Sequence, residues 1–281
     1  NELEALSQRI PPLEAARAKV EEVSQRLLQI EEGAAGLVHH SKRLTQVGAM
    51  QVELDLLSRR LDRLAPVPSG DDGFYADLED RFRGSTEEIC KRQEFYVPFI
   101  QAAGAGTAEA PVADLGCGRG EWLGLLRDHG LTAYGVEQNT VFLDRCDQEN
   151  LALKREDVFF HLESVPPASL GAITGFHIIE HLPANQQIRL VQLAFRALRP
   201  GGVLILETPN PEHLSVAALR FYVDPTHVRP VPAVLLQFIA EHAGFREIRI
   251  ERRSPSRDGE ASQGWSQYQD YALIAVRPRD L

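Results

Sequence analysis

Asp114-Leu115-Gly116-Cys117-Gly118-Arg119-Gly120-Glu121 is the stretch on which the reading of this chain turns. The apolar residues 111–115 read as a strand that ends in an acid and runs straight into three alternating glycines. Glycines at 116 and 118 let the backbone turn tightly and approach a ligand closely. Residues 121–129 read as a helix, whose first turn leaves N–H groups free to face that ligand. In open α/β sheets, ligands bind at such turns, at the carboxyl ends of the strands.

The same alternation continues outward from this turn. Strands are expected at 132–137, 151–156, 171–179, 202–207, 245–251 and 268–276, and helices at 140–149, 186–198 and 231–243, the last ending at Gly244. Such a series predicts an α/β fold: a mostly parallel, Rossmann-like sheet with helices on both faces, its last two strands an antiparallel pair. This domain is read as 111–281. Residues 74–110 read as a helical pre-domain, or cap. Residues 65–73 (A-P-V-P-S-G-D-D-G) have the composition of a linker. Residues 1–64 contain no aromatic residue and carry apolar positions at seven-residue spacing, such as Leu6, Leu13, Val20 and Leu27. They read as a coiled-coil-like arm for self-association or a partner helix, with an intramolecular hairpin as the alternative.

The chain has 281 residues and a formal net charge of −10, which disfavours nucleic acid and anionic membranes as partners. Its three cysteines, Cys90, Cys117 and Cys146, form neither a disulfide framework nor a zinc pattern. A reducing, cytoplasmic setting is expected, with membrane association only through partners. No apolar stretch approaches the ~20 residues of a membrane span. The chain begins at Asn1 rather than Met, and the sequence leaves open whether residues precede it.

Two acids frame the glycine turn. Asp114 directly precedes it and would repel a pyrophosphate, but it suits a ligand carrying an amino group. Glu137, at the end of the second strand, suits a ribose diol. Together they favour S-adenosylmethionine over a nicotinamide dinucleotide, whose G-x-G-x-x-G fingerprint is not matched.

D-L-G-C-G-R-G-E, G-V-E-Q-N and L-R-P-G-G-V-L-I-L-E-T-P-N resemble class I S-adenosylmethionine-dependent methyltransferases over about residues 74–277. The resemblance implies a seven-stranded sheet with a reversed last hairpin. It implies that Gly116, Cys117 and Gly118 flank the methionine part of the cofactor, and that Glu137 holds the ribose. Asp157 would meet the adenine amino group, unless it is only a helix N-cap, and Gln138 would pack beside the ring. Phe176, Arg83 and Arg92 complete the expected cofactor set, the arginines facing the cofactor carboxylate or an acidic acceptor.

The fourth strand ends in Phe176-His177-Ile178-Ile179-Glu180-His181-Leu182-Pro183, and a further histidine recurs in Tyr222-Val223-Asp224-Pro225-Thr226-His227-Val228-Arg229. That loop is expected back at the same rim of the sheet. Two mechanisms stand side by side. In one, His181 or His177, with Glu180 nearby, removes a proton from an acceptor hydroxyl. In the other, His177, Glu180, His181 and His227 hold a divalent metal that acidifies the hydroxyl. This second set resembles the E-x-x-E-H plus distant His of metal-dependent small-RNA 3′-terminal 2′-O-methyltransferases and of ubiquinone-pathway O-methyltransferases, with His177 where those carry Glu.

F-R-G-S-T-E-E-I-C-K-R-Q, G-A-I-T-G-F-H-I-I-E-H-L-P and F-Y-V-D-P-T-H-V-R-P-V-P resemble bacterial methyltransferases of surface-polysaccharide synthesis, including those that cap O-antigen chains. The resemblance implies O-methylation of a saccharide or saccharide phosphate, with Tyr96, Tyr222, Asp224, His227 and Arg229 around the acceptor. The alternatives are a metal-assisted small-molecule or RNA-terminal O-methyltransferase, and a catalytically weak scaffold with the same fold.

Overall fold

The computed structural model describes residues 69–255 and 267–279. The expected coiled-coil arm lies outside them. Helix α1 spans Ser69–Phe82, so the second half of the expected linker is helical. Helix α2, Thr86–Gln93, starts at a capping box in which Ser85 and Glu88 satisfy each other's backbone N–H groups. A 3-10 turn, Glu94–Tyr96, leads into α3, Val97–Ala102.

The alternating part follows as β1 Val112–Leu115, α4 Glu121–Asp128, β2 Ala133–Glu137, α5 Thr140–Gln148, β3 Leu153–Arg155, α6 Val158–Ser164, β4 Leu170–Phe176, α7 Ala184–Ala197, β5 Leu198–Pro209, α8 Leu214–Ala218, α9 Ala233–Ala243, β6 Arg246–Pro255 and β7 Tyr268–Val276. The seven strands are ordered β3-β2-β1-β4-β5-β7-β6. β1 to β5 are parallel, and β7 runs antiparallel between β5 and β6. The order reverses between β1 and β4, so the crevice for a ligand opens at their carboxyl ends.

Successive side chains of a strand point to opposite faces, and β5 shows how each face is filled. Leu204 and Leu206 pack with Leu190, Val191 and Ala194 of α7 and Leu236 of α9. Val203 and Ile205 pack with Tyr96, Val97, Ile100 and Trp122. The pre-domain helices are therefore part of one face of the core. They also reach the active rim, because Asp72 of α1 accepts hydrogen bonds from the backbone N–H and hydroxyl of Thr140 at the start of α5, 2.9 and 2.7 Å.

The expected strands and helices are all present, with some shifted ends. Residues 177–179 leave β4 early, and Ile179–His181 forms a 3-10 turn. Helices α6 and α8 are additions. Each covers seven residues or fewer, too short for a hydrophobic period to show. No described helix is long and apolar enough to cross a membrane.

Candidate active site

The glycine turn after β1 is left-handed at Gly118 (φ 52°) and Gly120 (φ 83°). A Cβ at Gly120 would sit 2.6 Å from Leu151 Cδ1 and 2.8 Å from Cys146 Sγ, so the turn is packed from beneath. At Gly118 it would meet only Arg83 Nη1, at 4.0 Å. The turn is thus open on one side, and a guanidinium overlooks the opening. The Cys117 side chain is buried with Leu123 and Cys146, so it offers a ligand only its backbone.

Asp114 is 2% exposed and accepts a hydrogen bond from Thr174 Oγ1 at 2.7 Å. Burial pushes its carboxyl up to about 7, against the pull of Thr174 and Arg83. Glu137 accepts three backbone N–H bonds: from Gly118 at 3.0 Å, from Gln138 at 2.8 Å and from Asn139 at 2.9 Å. It locks the turn to the end of β2, and about one of its roughly four lone-pair sites remains for a ligand hydroxyl. Gln138 is exposed beside it. Asp157 is the N-cap of α6, its Oδ1 accepting from the N–H groups of Phe159 and Phe160 at 2.9 and 3.0 Å.

Between α1, α2 and the ends of β4 and β5 lies a cavity of about 220 Å³. Arg83 and Arg92 enter its wall from the pre-domain. Arg83 is held by Glu79 at 2.7 Å, and Arg92 donates to the Arg83 carbonyl at 3.2 Å. Phe176 lines the cavity and packs on Tyr96 and Trp122. Tyr96 itself is fully buried and donates its hydroxyl to Glu207, so it supports the wall from behind rather than facing an acceptor. Tyr222 is 66% exposed and lies outside the wall. Arg229 also lies outside it and meets Glu180 only through its backbone N–H, 3.4 Å from the Glu180 carbonyl. Together with the Val228 N–H at 2.9 Å, that contact returns the loop at 224–229 to the rim, as expected. Asp224 and His227 do line the cavity.

The four expected metal ligands divide into two groups. Glu180, His181 and His227 place ligand atoms within 4.8 Å of one another, and His177 belongs instead with Glu207 and Asp270. The reason is the backbone at His177, which takes φ 60° as the chain leaves β4. His177 Nδ1 lies 3.1 Å from Glu180 Oε1, and its Nε2 faces Glu207 at 3.6 Å and Asp270 at 3.9 Å. Burial would lower its basicity, but hydrogen bonds to Glu180 and Glu207 and the charge of Asp270 outweigh that and raise its pKa to about 10. Near neutral pH this favours the imidazolium, the form that pairs with the surrounding carboxylates rather than taking a proton from an acceptor. Glu180 is fully buried and accepts from the Thr208 hydroxyl at 2.9 Å. Burial opposes its ionisation, yet the hydrogen bond and charge of His177 hold its pKa down to about 2.

His181 is the opposite case. Burial lowers its pKa, Glu180 opposes this, and the neighbouring His227 adds to it. Its Nδ1 lies 2.8 Å from Thr226 Oγ1, and its ring makes a T-shaped contact with Tyr75 from α1. Thr226, Glu207 and Asp270 are members of the site beyond those expected. Glu207 had a visible signal, an acid at the end of a buried strand. Asp270 had none, because only the antiparallel pairing of β7 with β5 sets it opposite Pro209.

The family model of a methyltransferase domain matches residues 89–249. A probable S-adenosylmethionine-dependent methyltransferase of Mycolicibacterium smegmatis is 31% identical over 136 residues, 48% of this chain and 51% of that protein. A ubiquinone biosynthesis O-methyltransferase of Cupriavidus pinatubonensis is 30% identical over 111 residues, 38% of this chain and 44% of that protein. The chain thus spans about half the length of these curated relatives. The crystal structure of an S-adenosylmethionine-dependent methyltransferase from Archaeoglobus fulgidus superposes with a TM-score of 0.65 at 29% identity, over 72% of this chain and 99% of that one. Haemonchus contortus phosphoethanolamine N-methyltransferase 2, solved with S-adenosyl-L-methionine, shares the fold at a TM-score of 0.50 and 19% identity, over 73% of this chain and 60% of that one. With its sheet order, glycine turn and matching family model, this chain belongs to the methyltransferase domain family, that of the class I S-adenosylmethionine-dependent methyltransferases.

Proposed function

We propose that this chain is an O-methyltransferase that acts on a hydroxyl of a saccharide or saccharide phosphate in surface-polysaccharide synthesis, with His181 as general base. The observation that carries this reading is the contrast between two histidines at one rim: His177 is enclosed by Glu180, Glu207 and Asp270, whereas His181 lies in the cavity wall with the Thr226 hydroxyl at its Nδ1 and its pKa lowered by burial. The cofactor of the family fits the glycine turn. Gly118 leaves open space under Arg83, Asp114 would offer a carboxylate to the ammonium, and Glu137, at the end of β2, would take the ribose with its remaining acceptor site, while Asp157 keeps Oδ2 for the adenine amino group beyond its cap bonds. When bound, it supplies a sulfonium methyl that a nucleophile takes in line. The chain's own part is to bind and orient the acceptor and remove its proton. Glu207 and Asp270 at the cavity wall are hydrogen-bond acceptors suited to the hydroxyls of a sugar ring, and Arg92 suits an acidic substituent. The named motifs support the saccharide class, and the oxygen acceptor also accords with the relative from ubiquinone biosynthesis.

A second reading is metal assistance through Glu180, His181 and His227, favoured by the convergence of their ligand atoms. His227 Nδ1 faces the Phe221 carbonyl at 2.6 Å, which requires a proton on Nδ1 and leaves Nε2 to ligate. Mixed nitrogen and oxygen ligands suit Mn, Fe, Co, Ni or Zn better than Mg.

The test is transfer of labelled methyl from S-adenosylmethionine to surface glycans and to small RNA, each with and without EDTA. Label in glycan that survives EDTA is expected, together with loss of about a hundredfold or more in His181→Ala. Label abolished by EDTA and restored by a divalent ion would move the mechanism to the metal. Label in RNA alone would overturn the acceptor class.

A further inference from the structure

We infer that Asp224 and Thr226 form a relay that fixes His181 as its Nδ1–H tautomer, so that Nε2 carries the lone pair used in the reaction. The inference rests on the role proposed for His181. Thr226 Oγ1 lies 2.6 Å from Asp224 Oδ1 and 2.8 Å from His181 Nδ1. A hydroxyl has one proton to donate, and an ionised carboxylate can only accept. The hydroxyl proton therefore goes to Asp224, and Thr226 must accept from His181, which places a proton on Nδ1. The Thr226 backbone N–H also donates to Asp224 Oδ1, at 2.8 Å, so the carboxylate holds the threonine at two points.

The surroundings of His181 agree with this assignment. Glu180 and His227 face it from the rim, His227 with ring centroids 4.7 Å apart, and His177 contributes a further positive charge. The ring of Tyr75 of α1 stands nearly perpendicular to that of His181, with centroids 6.3 Å apart. Among these, Thr226 alone has a hydrogen bond to the imidazole. His227 is oriented in parallel fashion by the Phe221 carbonyl. The loop at 224–227 thus sets the proton position in one histidine and supplies the other. Asp224 and Thr226 act through His181 and are positioning residues. Thr226 is exposed, which makes it replaceable without a core defect.

The experiment uses the full chain labelled with ¹⁵N-histidine, with S-adenosylhomocysteine as the probe ligand. Nitrogen chemical shifts assigned through His181→Gln report the tautomer without any acceptor, so they stand apart from the identity of the substrate. The wild type is expected to show His181 with Nδ1 protonated. Thr226→Val is expected to mix the tautomers and to lower kcat about ten- to a hundredfold, with KM for S-adenosylmethionine and affinity for S-adenosylhomocysteine within about twofold. Thr226→Ser should restore both tautomer and kcat. Nε2 protonation in the wild type would overturn the relay, as would a Thr226→Val variant whose tautomer stays unchanged. If the tautomer result holds while His181→Ala retains methyl transfer, the general-base reading fails and the relay as a catalytic device fails with it.

Discussion

His177 and Glu180 form an ion pair across the turn that ends β4, with 3.1 Å between Nδ1 and Oε1. It makes a pH-dependent contribution to stability whose sign follows from the raised pKa of about 10. An unfolded histidine titrates near 6.5. The contribution is fully present below about 6.5 and is lost as pH rises through 10. His177→Gln should cost about 3 kcal/mol near pH 6, the cost of leaving buried carboxylates without their cation. In urea melts at pH 6, 8 and 10, the gap between wild type and variant should close as pH rises. A gap that stays constant would show that His177 is not charged.

Asp114 reverses the usual carboxylate behaviour. Its folded pKa, about 7, is above the unfolded value near 3.9. Its protonated form is therefore favoured on folding, and that contribution fades as pH rises from about 4 through 7. A ligand ammonium favours the carboxylate instead. Affinity for S-adenosylhomocysteine should rise severalfold from pH 6 to pH 8, with a proton released on binding. Calorimetry in two buffers measures both. Asp114→Asn should bind more weakly and lose the pH dependence.

Gly120→Ala tests the packing beneath the turn. The added methyl would meet Leu151 and Cys146 at 2.6 and 2.8 Å, on a backbone with φ 83°. Both effects destabilise, by about 1–3 kcal/mol each. Thermal melts should show the loss, and affinity for S-adenosylhomocysteine should fall with it. Unchanged affinity would mean that the turn does not cradle the cofactor.

Tyr96→Phe separates support of the wall from contact with the acceptor. It removes the buried hydroxyl that donates to Glu207 and leaves the cavity lining in place. Stability should fall by about 1–3 kcal/mol, while affinity for S-adenosylhomocysteine stays the same. A rise in acceptor KM as large as that of Glu207→Gln, without loss of stability, would place Tyr96 in the pocket after all.

What the sequence by itself determined was whatever local pattern encodes. The alternation of strand and helix, the glycine turn with Asp114, the end of α9 at Gly244 and the antiparallel pair β6–β7 were all legible, because periodicity and φ preferences act over a few residues. Tertiary structure alone decided which polar groups meet. Where the chain turns at His177 (φ 60°), its imidazole groups with Glu207 and Asp270 and not with His181, its neighbour in sequence. Tyr96, expected around the acceptor, is enclosed because its helices pack against the sheet. Thr226 matters because a loop folds back over 45 residues to meet His181. A hydrogen bond depends on ångström distances between groups remote in the chain, and only the packed fold sets those distances.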